Sequence, residues 1–201
     1  MRNLCLAAAS VALLAAAPAI ADEAKPVGIT PEIMAVTVQT KDGPVEIGRV
    51  QDNANVLTGD WAQTSRACPP FCIQPHSPAE GVHTIGELEV LDLLKDPEAI
   101  VVDSRTQDWY TGGTIPGAIN IPYTQAVERL AEVGCQPDFD GKFDCSTAKK
   151  VALFCNGVWC GQSPTAIRAM IEAGFPADRI YYYRGGMQGW RLLGLTVAGG
   201  K

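Results

Sequence analysis

From residue 81 onward the sequence predicts an α/β domain with a central parallel sheet flanked by helices, preceded by a small β-rich N-terminal extension. Three observations predict it. Short apolar runs at residues 99–103, 151–154 and 179–183 read as buried strands. Helical periodicity and long connections separate those runs, where an antiparallel sheet would show tight turns. Ahead of them, residues 34–47 alternate apolar and polar side chains on either side of Lys41-Asp42-Gly43, a hairpin signal.

Each element has a local reason. Thr84-Ile-Gly-Glu87 reads as a capping box opening a helix with Leu88, Leu91 and Leu94 at helical spacing. The strand at 99–103 ends on Asp103. A turn-rich passage, Thr114 to Pro122, leads to a second helix expected through Val127, Leu130 and Ala131. After the strand at 151–154, Ser163 is expected as an N-cap with Pro164 at the first helical position, and Ala166, Ile167, Met170 and Ile171 form the inner face. The strand at 179–183 and a short helix from Gly186 through Trp190 close the pattern.

The first residues have a different character. Met1-Arg2-Asn3 is a basic start, Leu4 to Ala17 is apolar, and small residues end at Ala21. This is the pattern of a signal peptide over residues 1–21, removed with Cys5, and it implies export to the periplasm or a similar oxidising compartment. The remaining chain divides into an extension over residues 22–80 and a main domain over 81–201. It carries 15 basic and 22 acidic residues, a net charge of −7. An acidic chain with no basic cluster argues against nucleic acid as a partner, and no further apolar stretch reaches membrane-spanning length.

Six cysteines remain in three near pairs: Cys68/Cys72, Cys135/Cys145 and Cys155/Cys160. An even count after export suggests disulfides, with local pairing the simplest arrangement. Cys135 and Cys145 are read as a structural bridge. Pro69 and Pro70 make the Cys68–Cys72 segment an ordered turn, also read as a disulfide, with a redox role toward the Cys155 site as a second reading. Metal binding by Cys68, Cys72, His76 and His83 has loosely suitable spacing and no further support, so no metal and no organic cofactor is expected.

The chemistry concentrates at Cys155. A buried strand delivers this cysteine to a loop, Asn156, Gly157, Val158, Trp159, Cys160, Gly161 and Gln162, that runs into the helix at Ser163. Inward-turned backbone N–H groups and the positive end of a helix dipole both stabilise an anionic sulfur. A free cysteine has a pKa of about 8.5, and such a cradle is expected to lower it at Cys155. Gly157 and Gly161 are expected to let the loop backbone turn inward.

These residues carry a family resemblance. Asp103-Ser-Arg105, Trp109 and Gly113-Thr-Ile-Pro-Gly-Ala-Ile-Asn-Ile-Pro122 resemble the first signature of the rhodanese domain. Phe154-Cys155 with its loop and helix resembles the active-site segment, and Arg184-Gly185-Gly186-Met-Gln-Gly-Trp190 the C-terminal signature. The resemblance spans about residues 81–198. It implies a sulfurtransferase in which Cys155 accepts sulfane sulfur as a persulfide and passes it to a thiol or other thiophilic acceptor. It also implies supporting roles for Asp103, Arg105 and Arg184, and packing of the last turn by Gly186 and Trp190. The loop departs from the family in carrying no Arg or Lys, so binding of thiosulfate would rest on backbone donors alone. The stretch where phosphatase relatives place an arginine holds Gly161 and Gln162, which argues against phosphatase chemistry.

Cys160 leaves several readings open. It is a candidate resolving thiol that attacks the Cys155 persulfide, half of a thiol–disulfide oxidoreductase pair, or a regulatory or structural partner. Outside enzymology, the domain reads as a binding module for a periplasmic redox protein.

Overall fold

The computed structural model describes residues 25–138, 140 and 142–199; the signal peptide expected at 1–21 lies outside the described residues. Strands β1 (Ala35–Thr40) and β2 (Gly43–Gly48) form the antiparallel hairpin. Then follow β3 (His83–Ile85), α1 (Glu87–Leu93), β4 (Ala99–Asp103), α2 (Gln107–Thr111) and β5 (Ile119–Asn120). The small antiparallel pair β6 (Gln136–Pro137) and β7 (Phe143–Asp144) precedes β8 (Lys150–Phe154), α3 (Gln162–Glu172), β9 (Ile180–Tyr183) and α4 (Gly186–Leu192). The central sheet has the order β3-β9-β8-β4-β5, and every pair in it is parallel.

Period-2 alternation along β8 divides the interior into two cores. Val151 and Leu153 face one side, with Leu130, Ile167, Met170 and Tyr182. Ala152 and Phe154 face the other, with Leu91, Tyr183 and Trp190. The second core also takes Val38 and Ile47 from the hairpin, so the N-terminal strands complete the domain's interior. A backbone bridge between Arg49 and Leu195, and the Arg49 Nε donation to the Leu193 carbonyl across 2.6 Å, tie the residue after the hairpin to the stretch after α4.

Two expected helix features differ. Thr84 lies within β3, and the helix begins two residues later with Gly86 as N-cap. Only the return half of a capping box forms, the Gly86 N–H donating to the Glu89 carboxylate at 3.0 Å. The shift turns Val90, Leu91 and Leu93 inward and leaves Leu88 exposed. The helix expected through Val127 and Leu130 is instead a pair of 3₁₀ turns, Tyr123–Gln125 and Leu130–Val133. Leu130 is still fully buried, whereas Val127 faces solvent, because two short turns separate residues that one α-helix would align.

Cys135 and Cys145 are joined as a disulfide flanking the β6–β7 pair, with Cα atoms 4.2 Å apart, and both are packed in the first core. Cys68 and Cys72 are joined on the irregular segment before β3, which removes both sulfurs from any metal-ligand set. No helix among the described residues is long and apolar enough to cross a membrane.

Candidate functional site

Cys155 follows the last residue of β8 at the carboxyl edge of the parallel sheet, where α/β folds place their ligands. Cys155 is 2 % exposed and Cys160 5 %, and both thiols are free. Cys155 Sγ donates to the Cys160 carbonyl at 3.2 Å and accepts the Ser163 hydroxyl at 3.1 Å. Cys160 Sγ in turn donates to Gln162 Oε1 at 3.8 Å.

This arrangement corrects the expected role of Ser163. The helix starts at Gln162 with Gly161 as N-cap, so Ser163 and Pro164 lie inside the first turn. Pro164 is tolerated there because the first-turn N–H groups have no intrahelical acceptor. The Ser163 hydroxyl, fully buried, is committed to sulfur rather than to capping. Gly161 has ordinary right-handed geometry, so the loop does not need a glycine there for its backbone. The glycine that geometry demands is Gly186, at φ +54°, where a Cβ would collide with the Cys155 carbonyl and the Gly157 nitrogen. From that close approach, Met187 N–H donates to Cys155 O and Gln188 N–H to Asn156 O, both at 2.9 Å. The start of α4 thereby braces the loop, while Trp190, fully buried, donates to Thr196 O.

The electrostatics of the thiols also differ from expectation. Burial pushes the Cys155 thiol well above the ordinary cysteine value, and donation of its proton toward Cys160 adds to this. Cys160 is drawn down to about 7, first by the Cys155 S–H, then by the Asn156 and Gln162 backbone N–H groups and the Arg105 charge. The loop's donors thus act to lower Cys160, while burial raises Cys155. Cys160's own N–H donates to Gly157 O at 2.9 Å and is not available to an anion.

Asp103 and Arg105 form a fully buried bidentate pair, Nε to Oδ1 at 2.8 Å and Nη2 to Oδ2 at 2.6 Å. Thr114 donates to Asp103 Oδ2, and Arg105 also reaches the Gly113 carbonyl. Arg105 Nη1 donates to Asn156 Oδ1 at 3.2 Å, so the pair fixes the residue next to Cys155. Residues 87–193 match the family described as Rhodanese-like domain. The chain belongs to this family.

Two curated relatives are similar to the rhodanese-like region. HTH-type transcriptional regulator Rv0324 of Mycobacterium tuberculosis is 34% identical over 113 residues, 56% of this chain and 43% of that protein. The tRNA uridine(34) hydroxylase of Teredinibacter turnerae is 33% identical over 96 residues, 47% of this chain and 26% of that protein. This chain thus spans less than half the length of either. Among solved structures, thiosulfate sulfurtransferase from Pseudomonas aeruginosa aligns at 28% identity with a TM-score of 0.45, covering 60% of this chain and 21% of that one.

The segment ahead of the rhodanese-like match lies over the loop. The Phe71 ring meets the Trp159 ring edge-on at 5.2 Å, and the Arg66 guanidinium lies 4.2 Å from the Trp159 ring centre. Gln74 N–H donates to Val158 O at 2.8 Å. Arg184 does not reach the thiols; it donates to the Gln74 and Pro75 carbonyls and anchors this strap. Trp159 donates its indole N–H to Gln188 Oε1 at 2.7 Å, and Gln188 Nε2 donates to the Trp61 carbonyl. His76 and His83 lie outside the loop, His83 stacked on Tyr181. Arg66, Phe71 and Gln74 escaped sequence reasoning, because a segment without periodicity gives no signal of what it covers; Gln188 lies within the C-terminal signature, whose resemblance gave it no role.

Proposed function

We propose that this chain is an exported sulfurtransferase in which Cys155 carries sulfane sulfur as a persulfide. The observation that carries this reading is the Cys155 thiol held at a strand end between the Ser163 hydroxyl and the Cys160 carbonyl. Cys155 reacts as the thiolate, its proton passing to a solvent base, and the Ser163 hydroxyl stabilises the anion by donating to Sγ. With thiosulfate as donor, the Cys155 thiolate bonds to the outer sulfur, the S–S bond of the donor breaks, and sulfite leaves with the electron pair. The persulfide anion then gives its terminal sulfur to a thiolate, forming the acceptor's persulfide and restoring Cys155. Preorganised N–H and O–H donors stabilise the anion throughout, with no metal or organic cofactor in the cycle. Arg66 offers the cation that the loop lacks, which supports a small anionic donor.

A second reading draws on the two contacting thiols. Cys160–SH can displace hydrosulfide from the Cys155 persulfide, leaving a Cys155–Cys160 disulfide; alternatively the pair exchanges electrons directly with a redox partner. The lowered Cys160 pKa favours it as the attacking member.

Intact mass spectrometry of the pre-reduced protein, before and after thiosulfate or polysulfide, separates the readings. Sulfur transfer predicts a gain of one sulfur, about 32 Da, lost in Cys155→Ser, because the terminal persulfide sulfur is an added atom. A two-hydrogen loss requiring both cysteines, with no sulfur gain, favours the oxidoreductase, and no change under either treatment favours a binding module. Export is tested by N-terminal sequencing of the periplasmic protein, with Asp22 expected first.

A further inference from the structure

Beside the loop lies a cavity of about 650 Å³. Its walls include Leu57 and Trp61 of the strap, Val158 of the loop, and Gln188, Arg191 and Leu192 of α4. The lining is mainly apolar, and Leu192 is left 69% exposed. The volume lies within the usual range for a small-molecule site, roughly 300–1,000 Å³, and is far more than a bare inorganic anion fills.

One cation stands in this apolar wall. The Arg191 guanidinium lies 4.9 Å from the Trp61 ring centre, and no carboxylate pairs with it among the described residues. Its Nε is buried without an acceptor. Burial and the nearby Arg105 charge both oppose its charged state. A partly buried guanidinium without a counter-charge is offset best by an anion that brings its own acceptors. From the cavity and this unpaired cation we infer a binding site for an amphipathic organic anion, its apolar body against Trp61, Leu57 and Leu192 and its anionic group on Arg191. A cation is repelled there, and a neutral ligand leaves Arg191 unpaired.

This site goes beyond sulfur transfer and stands whether or not Cys155 carries sulfur. It borders the loop, since Gln188 joins the Trp159 indole to the Trp61 carbonyl.

The test is isothermal titration of the whole mature protein with octanesulfonate, octanol and octyltrimethylammonium. The sulfonate is expected to bind about tenfold more tightly than the other two. Arg191→Gln should abolish that preference, Arg191→Lys should retain it at weaker affinity, and Lys95→Gln, remote from the cavity, should match the parent. Equal binding of the three probes, no binding of the sulfonate, or an unchanged sulfonate preference in Arg191→Gln overturns the inference. Should Arg191→Gln fail to fold, the three-probe series on the parent protein still decides. Persulfide formation does not enter the readout, so failure here and failure of the sulfurtransferase reading are distinguishable.

Discussion

The Ser163 hydroxyl donates to Cys155 Sγ at 3.1 Å from inside the first turn of α3, and neither group is open to solvent. A buried hydroxyl aimed at sulfur stabilises the thiolate and the persulfide alike, since it serves whichever form is anionic. Ser163→Ala removes a contribution that lowers the Cys155 pKa. Cys155 alkylation by iodoacetamide should therefore shift to higher pH, and persulfide loading at pH 7 should fall by about tenfold, the scale of one hydrogen bond to a charged group. Mass-resolved alkylation against pH checks this; an unmoved Cys155 profile would remove Ser163 from the mechanism.

Cys160 has a pKa lowered to about 7, with the Cys155 S–H as the largest cause. The sign follows directly: its thiolate fraction, and so its alkylation rate, is full well above pH 7 and lost as pH falls through 7. In Cys155→Ala the donor is gone, and the midpoint should rise toward the ordinary value of about 8.5. A midpoint that stays near 7 would mean that Cys155 does not stabilise the anion.

Breaking the Asp103–Arg105 pair leaves one charge buried without its partner. Arg105→Ala should cost about 3–5 kcal/mol in chemical denaturation, the usual penalty for an uncompensated buried ion. Because Arg105 also holds Asn156, the variant should react less selectively at Cys155 even where it folds. A loss under 1 kcal/mol would show that Asp103 is satisfied by Thr114 and backbone donors alone.

Arg66 stands over Trp159 as the strap's cation. Arg66→Gln should raise the KM for thiosulfate by about tenfold while leaving sulfur uptake from an uncharged organic trisulfide unchanged. An equal loss with both donors would indicate that Arg66 only holds the strap in place.

Much of the fold was legible because its signals are local. Apolar runs with no tight turns between them specified buried parallel strands, and the Cys155 strand–loop–helix order placed a thiol at the sheet's carboxyl edge. Helix boundaries were less legible. Thr84 extends β3 because it pairs with Tyr182 of β9, a partner about a hundred residues away. Ser163 matches the residue type of a cap, yet its hydroxyl is taken by a sulfur eight residues back.

By itself the sequence determined the α/β class, the hairpin, the strand that ends at Cys155 and the family to which the chain belongs. These follow from periodicity and short motifs, which act over a few residues. Tertiary structure alone decided that burial raises Cys155 while its neighbours lower Cys160, that Arg105 steadies Asn156, and that an aperiodic segment carries Arg66 and Phe71 onto Trp159. Those outcomes depend on burial and on distances between residues far apart in the chain, and local sequence pattern encodes neither.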